Sequence, residues 1–405
     1  MHRRSFIGGA AASLAGMAGV RGALAAPAAK FKPYRHFVFV VLPGGPSQFE
    51  TWDPKPGHVN GGPTKAIDTK VKGMRWAENM APLVEYSDNI AVVRTTSGIG
   101  AHDLAYKYTM TGGFTPNPRV DHPSLSSTIG WGLYDPERDL PPVVSSYSGF
   151  YGAQGGGFLG NTFDQYPMGS KLEVDEQWRG RMERANQLRE EYYALSPLRL
   201  HRDFQEEVKH QSRASRLTLG ISHRAFDVSQ ESQKTREFYG PGFGESCLRA
   251  RRLIMAGVTS IEITCAFWDT HQDNFGASAR SAAVLTRGLG CLISELKELD
   301  LFEQTLILVG GEMGRSPQIE KQTEGRGHFP QNSCFALIGG GIKGQSIGES
   351  SQDGLSLAQP ITMGQLSYSV LELMGMRPLG FFEDPVSGRP QRYCAGDTGL
   401  PAALV

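Results

Sequence analysis

The side chains best suited to chemistry in this 405-residue chain lie in three short stretches. Asp269 and His271 sit in residues 260–275 (SIEITCAFWDTHQDNF), Glu312 and Arg315 in residues 310–315 (GGEMGR), and His328 in residues 325–330 (GRGHFP). Carboxylate, imidazole and guanidinium groups of this kind transfer protons, ligate metals or bind anions according to what surrounds them. Asp269 and His271, spaced i, i+2 past an apolar run, read as ligands or catalytic groups, the alternative being a loop-capping aspartate beside a surface histidine. His328, set between Gly327 and Phe329-Pro330, reads equally as a ligand or as a loop histidine. Glu312 reads as a support that orients Arg315, whose planar fork suits a phosphate or sulfate group; a structural ion pair is the alternative.

Each stretch needs a strand to position it. Residues 261–267 are apolar and β-branched except for Glu262 and a small Cys-Ala pair, the pattern of a strand buried on both faces of a parallel sheet. An apolar-periodic helix over residues 247–256, closed by Gly257, precedes it. Residues 305–309 (TLILV) form a second buried strand leading to Glu312, and residues 335–338 a third, preceded by the loop that carries His328. Catalytic groups in open α/β sheets gather beyond the carboxyl ends of strands, so these residues are expected at one rim.

Earlier in the chain, residues 36–42 (HFVFVVL) read as a central strand turning into Pro43-Gly44-Gly45-Pro46-Ser47-Gln48. Neither GxGxxG nor a Walker lysine follows, so nucleotide binding is not indicated. Ser47 and Gln48 either line the site with hydroxyl and amide donors or serve the turn. Residues 90–94 form another strand, after which His102 heads a helix over residues 103–110. A short strand over residues 142–145 precedes a glycine-rich loop, and residues 171–239, rich in Arg, Glu and Gln, show the helical spacing of an insertion. A last helix covers residues 364–373.

Lys plus Arg equals Asp plus Glu, 41 each, so the basic excess that marks nucleic-acid binding is missing. Arg3-Arg4-Ser5-Phe6-Ile7, a small apolar run and Ala23-Leu24-Ala25 match a twin-arginine signal peptide over residues 1–26. This implies the twin-arginine translocation machinery as a partner and the periplasm or cell exterior of a bacterium as the destination. Residues 27–405 then form one domain, in which no run approaches the roughly 20 apolar residues of a membrane span. The five cysteines form no CxxC pair and sit in apolar segments, which predicts buried, unreactive thiols.

The ordered motifs GGPSQ, WDPKPG, NGGP, HPSL, FGESCLRARRL, WDTHQDNF, GEMGRSP and GRGHFP, behind a twin-arginine signal, resemble the bacterial domain-of-unknown-function 1501 family over nearly the whole mature chain. That family is similar to the sulfatase and alkaline phosphatase superfamily. The resemblance implies an α/β sandwich with a mostly parallel central sheet flanked by helices, and metal-dependent hydrolysis of a phosphate or sulfate ester. It also implies a metal triad of Asp269, His271 and His328, a set that suits one divalent ion, Zn²⁺ or similar. The second metal of the superfamily is not matched: Pro43-Gly44-Gly45 and Glu312-Met313-Gly314 stand where its acidic and imidazole ligands would be. Counting back from Thr111-Gly112 places His102 at the superfamily's nucleophile position, as nucleophile, general acid or anion ligand at a helix start. Arg315 would hold the anionic ester while Ser47, Gln48 and Glu312 line the substrate; the competing expectation is a non-catalytic scaffold or binding protein of the cell envelope.

The targeting segment carries its own test. Replacing Arg3 and Arg4 together by lysine should leave an uncleaved precursor in the cytoplasm, read by fractionation and immunoblotting; export at the normal rate would refute the targeting assignment.

Overall fold

The core strands form because runs of Val, Ile, Leu and Phe are covered from both sides. A computed structural model describes residues 31–135, 138, 140–146, 155–169, 176–200, 204, 208, 221–383 and 388–405; the signal segment lies outside them. Pro33–Val405 forms one compact unit. Its strands, in chain order, are β1 (His36–Val41), β2 (Ala66–Asp68), β3 (Arg75–Ala77), β4 (Ile90–Ser97), β5 (Val143–Ser145), β6 (Tyr166–Pro167), β7 (Ser260–Thr264) and β8 (Thr305–Gly310). They continue with β9 (Gly314–Arg315), β10 (His328–Phe329), β11 (Ser333–Ile338), β12 (Gln345–Ile347), β13 (Ile361–Thr362), β14 (Phe381–Glu383) and β15 (Pro390–Arg392).

Nine strands make the main sheet, in the order β12-β4-β11-β8-β1-β7-β5-β6 with β13 also on β4. β1 pairs in parallel with both β7 and β8, and β5 with β7. β11 runs antiparallel to both β8 and β4. The class expected from the sequence, α/β with a mostly parallel sheet, is the one observed. Side chains alternate between faces. Val38, Val40, Ile261, Ile263, Ile307 and Val309 share a core with Leu253, Leu285 and Leu289 of the helices Phe243–Ala256 and Asn274–Glu298. Phe37, Phe39, Leu306 and Leu308 are equally buried on the opposite side.

Several expectations change in detail. β7 stops at Thr264, three residues short of the expected end, because the chain leaves the extended region and Phe267 adopts φ 75°. The helix Asn274–Glu298 was not foreseen, since its first turns are mostly Gly, Ala and Ser and carry little apolar signal. The expected insertion at 171–239 lies partly outside the described residues; within it stand the helices Glu176–Leu195 and Gln233–Tyr239. All five cysteines are buried and free, as expected.

The directions of the strands place the site. β1, β4, β7 and β8 all end at one rim, and β11 starts there because it runs the other way. The loop before β11 therefore delivers His328 to the same rim as Asp269 and Glu312. Two further ties hold this loop. β9 and β10 pair His328 with Arg315 and Phe329 with Gly314. Arg326, fully buried, donates to Glu50 (2.9 Å) and to the carbonyls of Asn60 (2.7 Å), Pro317 (2.6 Å) and Ser316 (3.1 Å).

Glu262, the one acid in β7, is buried away from this rim against Gln165, whose amide donates to its carboxylate. Burial pushes its pKa up to about 7, against the hydrogen bond from Gln165. An acid whose pKa is raised on folding stabilises fully below its unfolded value, near 4.5, and loses that contribution as the pH climbs through 7. Glu262→Gln should thus remove about 3 kcal/mol of stability loss between pH 5 and pH 8, measured by urea unfolding. An unchanged pH dependence would refute the buried-acid assignment.

Candidate functional site

Two glycines allow the loops of the rim to touch. Gly44 sits at φ 106°, and a Cβ there would lie 2.5 Å from the backbone nitrogen of Asp269. A Cβ on Gly325 would lie 1.8 Å from the carbonyl oxygen of His271. Any side chain at either place displaces the strand-end loops that carry those two residues.

Arg315 joins the loops electrostatically. Its side chain is fully buried, donating from Nε to the Gly45 carbonyl (2.8 Å) and from Nη1 to the Arg326 carbonyl (3.1 Å). Nη2 is surrounded by the Gly44 and Trp268 carbonyls and Oδ1 of Asp269. Gln48, also buried, spends its whole amide on the Arg315 backbone: Nε2 donates to the carbonyl and Oε1 accepts from the N–H, both at 2.8 Å. Ser47 is buried, and its Oγ has no partner among the described residues.

Around this anchor stand four possible ligands. Asp269 Oδ1 lies 3.1 Å from His271 Nε2 and 3.5 Å from His328 Nε2, and the two imidazole nitrogens are 3.0 Å apart. His102, at the start of the helix His102–Met110, directs Nε2 toward Asp269 Oδ2 at 4.0 Å and meets the His328 ring edge-on, centroids 4.2 Å apart. Ligand atoms of His102, Asp269 and His328 all fall within 4.8 Å of one another. His102 Nδ1 is 2.9 Å from Oε1 of Glu312, which also accepts from the Gly44 N–H at 2.9 Å. Oε2 of Glu312 is buried with no partner among the described residues.

The charges follow from these contacts. Burial works against ionisation of Asp269, but Arg315 outweighs it and, with His271 and His102, holds the carboxyl below its ordinary range. The hydrogen bond to Glu312 raises the pKa of His102 despite desolvation. His328 is lowered, first by burial and then by the charges of His102 and Arg315, against the pull of Asp269.

The donor set fits a divalent ion. Tetrahedral zinc with bonds of about 2.0–2.1 Å spaces its ligand atoms roughly 3.3 Å apart. Asp269 Oδ1, His271 Nε2 and His328 Nε2 form a triangle with edges of 3.0–3.5 Å. Glu312 behind His102 repeats the carboxylate–histidine pairing that fixes the tautomer of metal-site imidazoles.

The sequence-based candidates thus divide into two groups. Asp269, His271, His328 and His102 come together. Glu312 joins them from behind, on His102 rather than on Arg315. Arg315 serves Asp269 and backbone carbonyls instead of facing an anion, and neither Ser47 nor Gln48 reaches the solvent side. Sequence reasoning also missed Glu50, Arg326 and Gly44. The signal for Arg326 was its setting between two glycines in a loop that has to be fixed somewhere.

Comparison with known proteins follows the geometry. A family model described as "Protein of unknown function (DUF1501)" matches residues 34–398. No curated protein matches the chain. Similar solved structures include the phosphonate monoester hydrolase SpPMH from Silicibacter pomeroyi, at 10% identity, covering 87% of this chain and 75% of that chain, with a TM-score of 0.38. The PsFucS1 sulfatase from Pseudoalteromonas sp. is similar at 13% identity, 85% and 68% coverage and a TM-score of 0.38. A protein in the alkaline phosphatase superfamily from Vibrio parahaemolyticus is similar at 11% identity, 85% and 67% coverage and a TM-score of 0.37.

The Glu312–His102 pair predicts a titration. A histidine whose pKa is raised on folding stabilises below its unfolded value, near 6.5, and loses this as the pH rises through the folded pKa. In metal-free protein, NMR should find His102 titrating above 6.5 and Glu312→Gln moving it down. A value at or below 6.5 in the wild type, or no response to the substitution, would contradict the pairing.

Proposed function

The chain belongs to the DUF1501 family, and from that premise we propose that it is an exported hydrolase of a phosphate or sulfate ester, working with one divalent ion held by Asp269, His271 and His328. The observation that carries the reading is the triangle of those three side chains, whose edges match the ligand spacing of a small divalent ion. When bound, such an ion supplies Lewis-acid polarisation of the ester. The residues do the rest. Asp269, kept ionised by Arg315, offers a carboxylate at every working pH. Glu312 holds Nδ1 of His102, which leaves Nε2 facing the same point and places a proton carrier beside the leaving oxygen of the ester. The twin-arginine signal supports export to the periplasm or cell exterior, with the ion loaded in the cytoplasm before transit.

One observation favours a second reading, a non-catalytic binding or scaffold protein of the cell envelope. Arg315, the cation of the site, is buried and committed to Asp269 and four carbonyls, so it does not grip an anion.

Metal analysis with activity assays separates the two. Wild type purified without added metal should carry about one equivalent of a divalent ion. Asp269→Ala, His271→Ala and His328→Ala should each lose it. His102→Ala should keep it and lose at least about a hundredfold in ester hydrolysis, with little change in Tm. A metal-free wild type, or triad variants that bind as well, would leave the scaffold reading standing.

A further inference from the structure

The helix Glu176–Leu195 leaves an apolar stripe bare. Leu188, Tyr192 and Leu195, at steps of four and three residues, share one face and are 49%, 66% and 82% exposed. A different side is covered: the Tyr193 ring meets Phe204 edge-on, centroids 5.2 Å apart. A helix in a globular protein owes most of its stability to burying its apolar face, and here that face is open to solvent.

The two ends of the stripe are complementary in shape and in charge. Toward the helix start, Gly180, Arg181, Arg184, Ala185 and Leu188 line an open depression, hollow where Gly180 and Ala185 carry little or no side chain. Toward the helix end, Tyr192 and Leu195 project as bulky knobs. Arg181 and Arg184 stand at the hollow end. Glu191, seven residues or about two turns past Arg184, lies on the same flank of the stripe at the projecting end. All three are exposed, and none forms an ion pair among the described residues. Arg189, on the other flank, is occupied within its own helix, donating to Asn186 at 3.2 Å.

Reversing the helix sets one end against the other. In an antiparallel pair whose twofold axis passes between Gln187 and Leu188, position 184 of one copy lies across from position 191 of its partner, and position 195 from position 180. The knobs of each copy then enter the hollow of the other, and Arg184 meets Glu191 twice. A parallel pair would set arginine on arginine and knob on knob. We propose that this face is a self-association surface whose occupant is a second copy of the same chain, joined as an antiparallel helix pair. Such an interface is closed, so association stops at the dimer. The pairing uses no residue of the metal triangle and stands whether or not the protein hydrolyses an ester.

Sedimentation velocity of the full chain, at concentrations on the order of 1 to 100 μM, tests this and should find a dimer. Leu195→Asp, which places two carboxylates in the hollows of each dimer, should raise Kd at least about a hundredfold. Arg184→Glu and Glu191→Arg should each weaken the dimer about tenfold, since two attractions become two repulsions. Mixing these two variants, or combining both changes in one chain, should restore the wild-type affinity, because every glutamate again faces an arginine. Tm and helical circular dichroism should stay at wild-type values in all of them; if Leu195→Asp lowers either, the charge variants alone decide. A wild type that stays monomeric, a dimer insensitive to folded Leu195→Asp, or charge variants that neither mixing nor combination restores overturns the proposal. So does a monomer that co-sediments with phosphatidylcholine–phosphatidylglycerol vesicles, which would make the stripe a lipid contact.

Discussion

Everything at this rim depends on placing one guanidinium where water cannot reach it. A buried cation is costly unless every contact is compensated, and removing any partner leaves the remainder exposed to that cost. Arg315 meets the requirement with carbonyls from the loop after β1 (Gly44, Gly45), the loop after β7 (Trp268) and the loop before β11 (Arg326), together with the Asp269 carboxylate. Its own backbone is held by Gln48. Loops from separate strands therefore share one electrostatic centre, and none can shift without uncovering a donor. Arg326, paired with Glu50 and three carbonyls, is a second buried cation of this loop, although its Nε has no partner among the described residues. Its guanidinium also lies over the Phe49 ring at 4.7 Å, which gives the charge a face that no hydrogen bond occupies.

This explains why much of the fold, but less of the site, could be read from the sequence. β1, β7 and β8 announce themselves because both faces are covered, so HFVFV, SIEIT and TLILV are apolar almost without a break. Strand direction is hidden in such runs. That β11 runs against β8, which brings GRGHFP ahead of its strand to the rim that WDTH and GEMGR reach after theirs, was not read from the sequence. Asp269, His271 and His328 were legible from residue type and loop position. The role of Arg315 was not, because an arginine that grips an anion and an arginine that cements four loops look identical in one dimension. Phe267 was hidden for a similar reason: in sequence it extends an apolar strand, and only the reversal of φ turns it outward.

The same geometry separates the functions of the two carboxylates. Glu312 is wholly buried and Asp269 half exposed, yet both face histidines. Glu312 binds Nδ1 of His102 and the Gly44 amide, so it fixes an orientation and contributes its charge from behind. Asp269 presents Oδ1 to His271 and His328 and Oδ2 toward His102. Depth below the surface, more than residue type, separates the supporting carboxylate from the one open to solvent.

Pairing Asp269 with Arg315 has a consequence for any ion at the triangle. A carboxylate shared with a guanidinium donates less charge than a free one, so an ion held by Asp269 and two neutral imidazoles keeps more of its own positive charge. Such an ion would be bound less tightly and would polarise an ester oxygen more strongly, since an ion is the largest local charge in such a site. The arrangement trades affinity for electrophilicity, and rigidity makes the trade possible: with the loops locked through Arg315, the ligands converge before any ion arrives, and less ordering remains to be done on binding. The buried arginine therefore joins the construction of the fold to the charge of Asp269, and under the proposed reading to the strength of an ion held there.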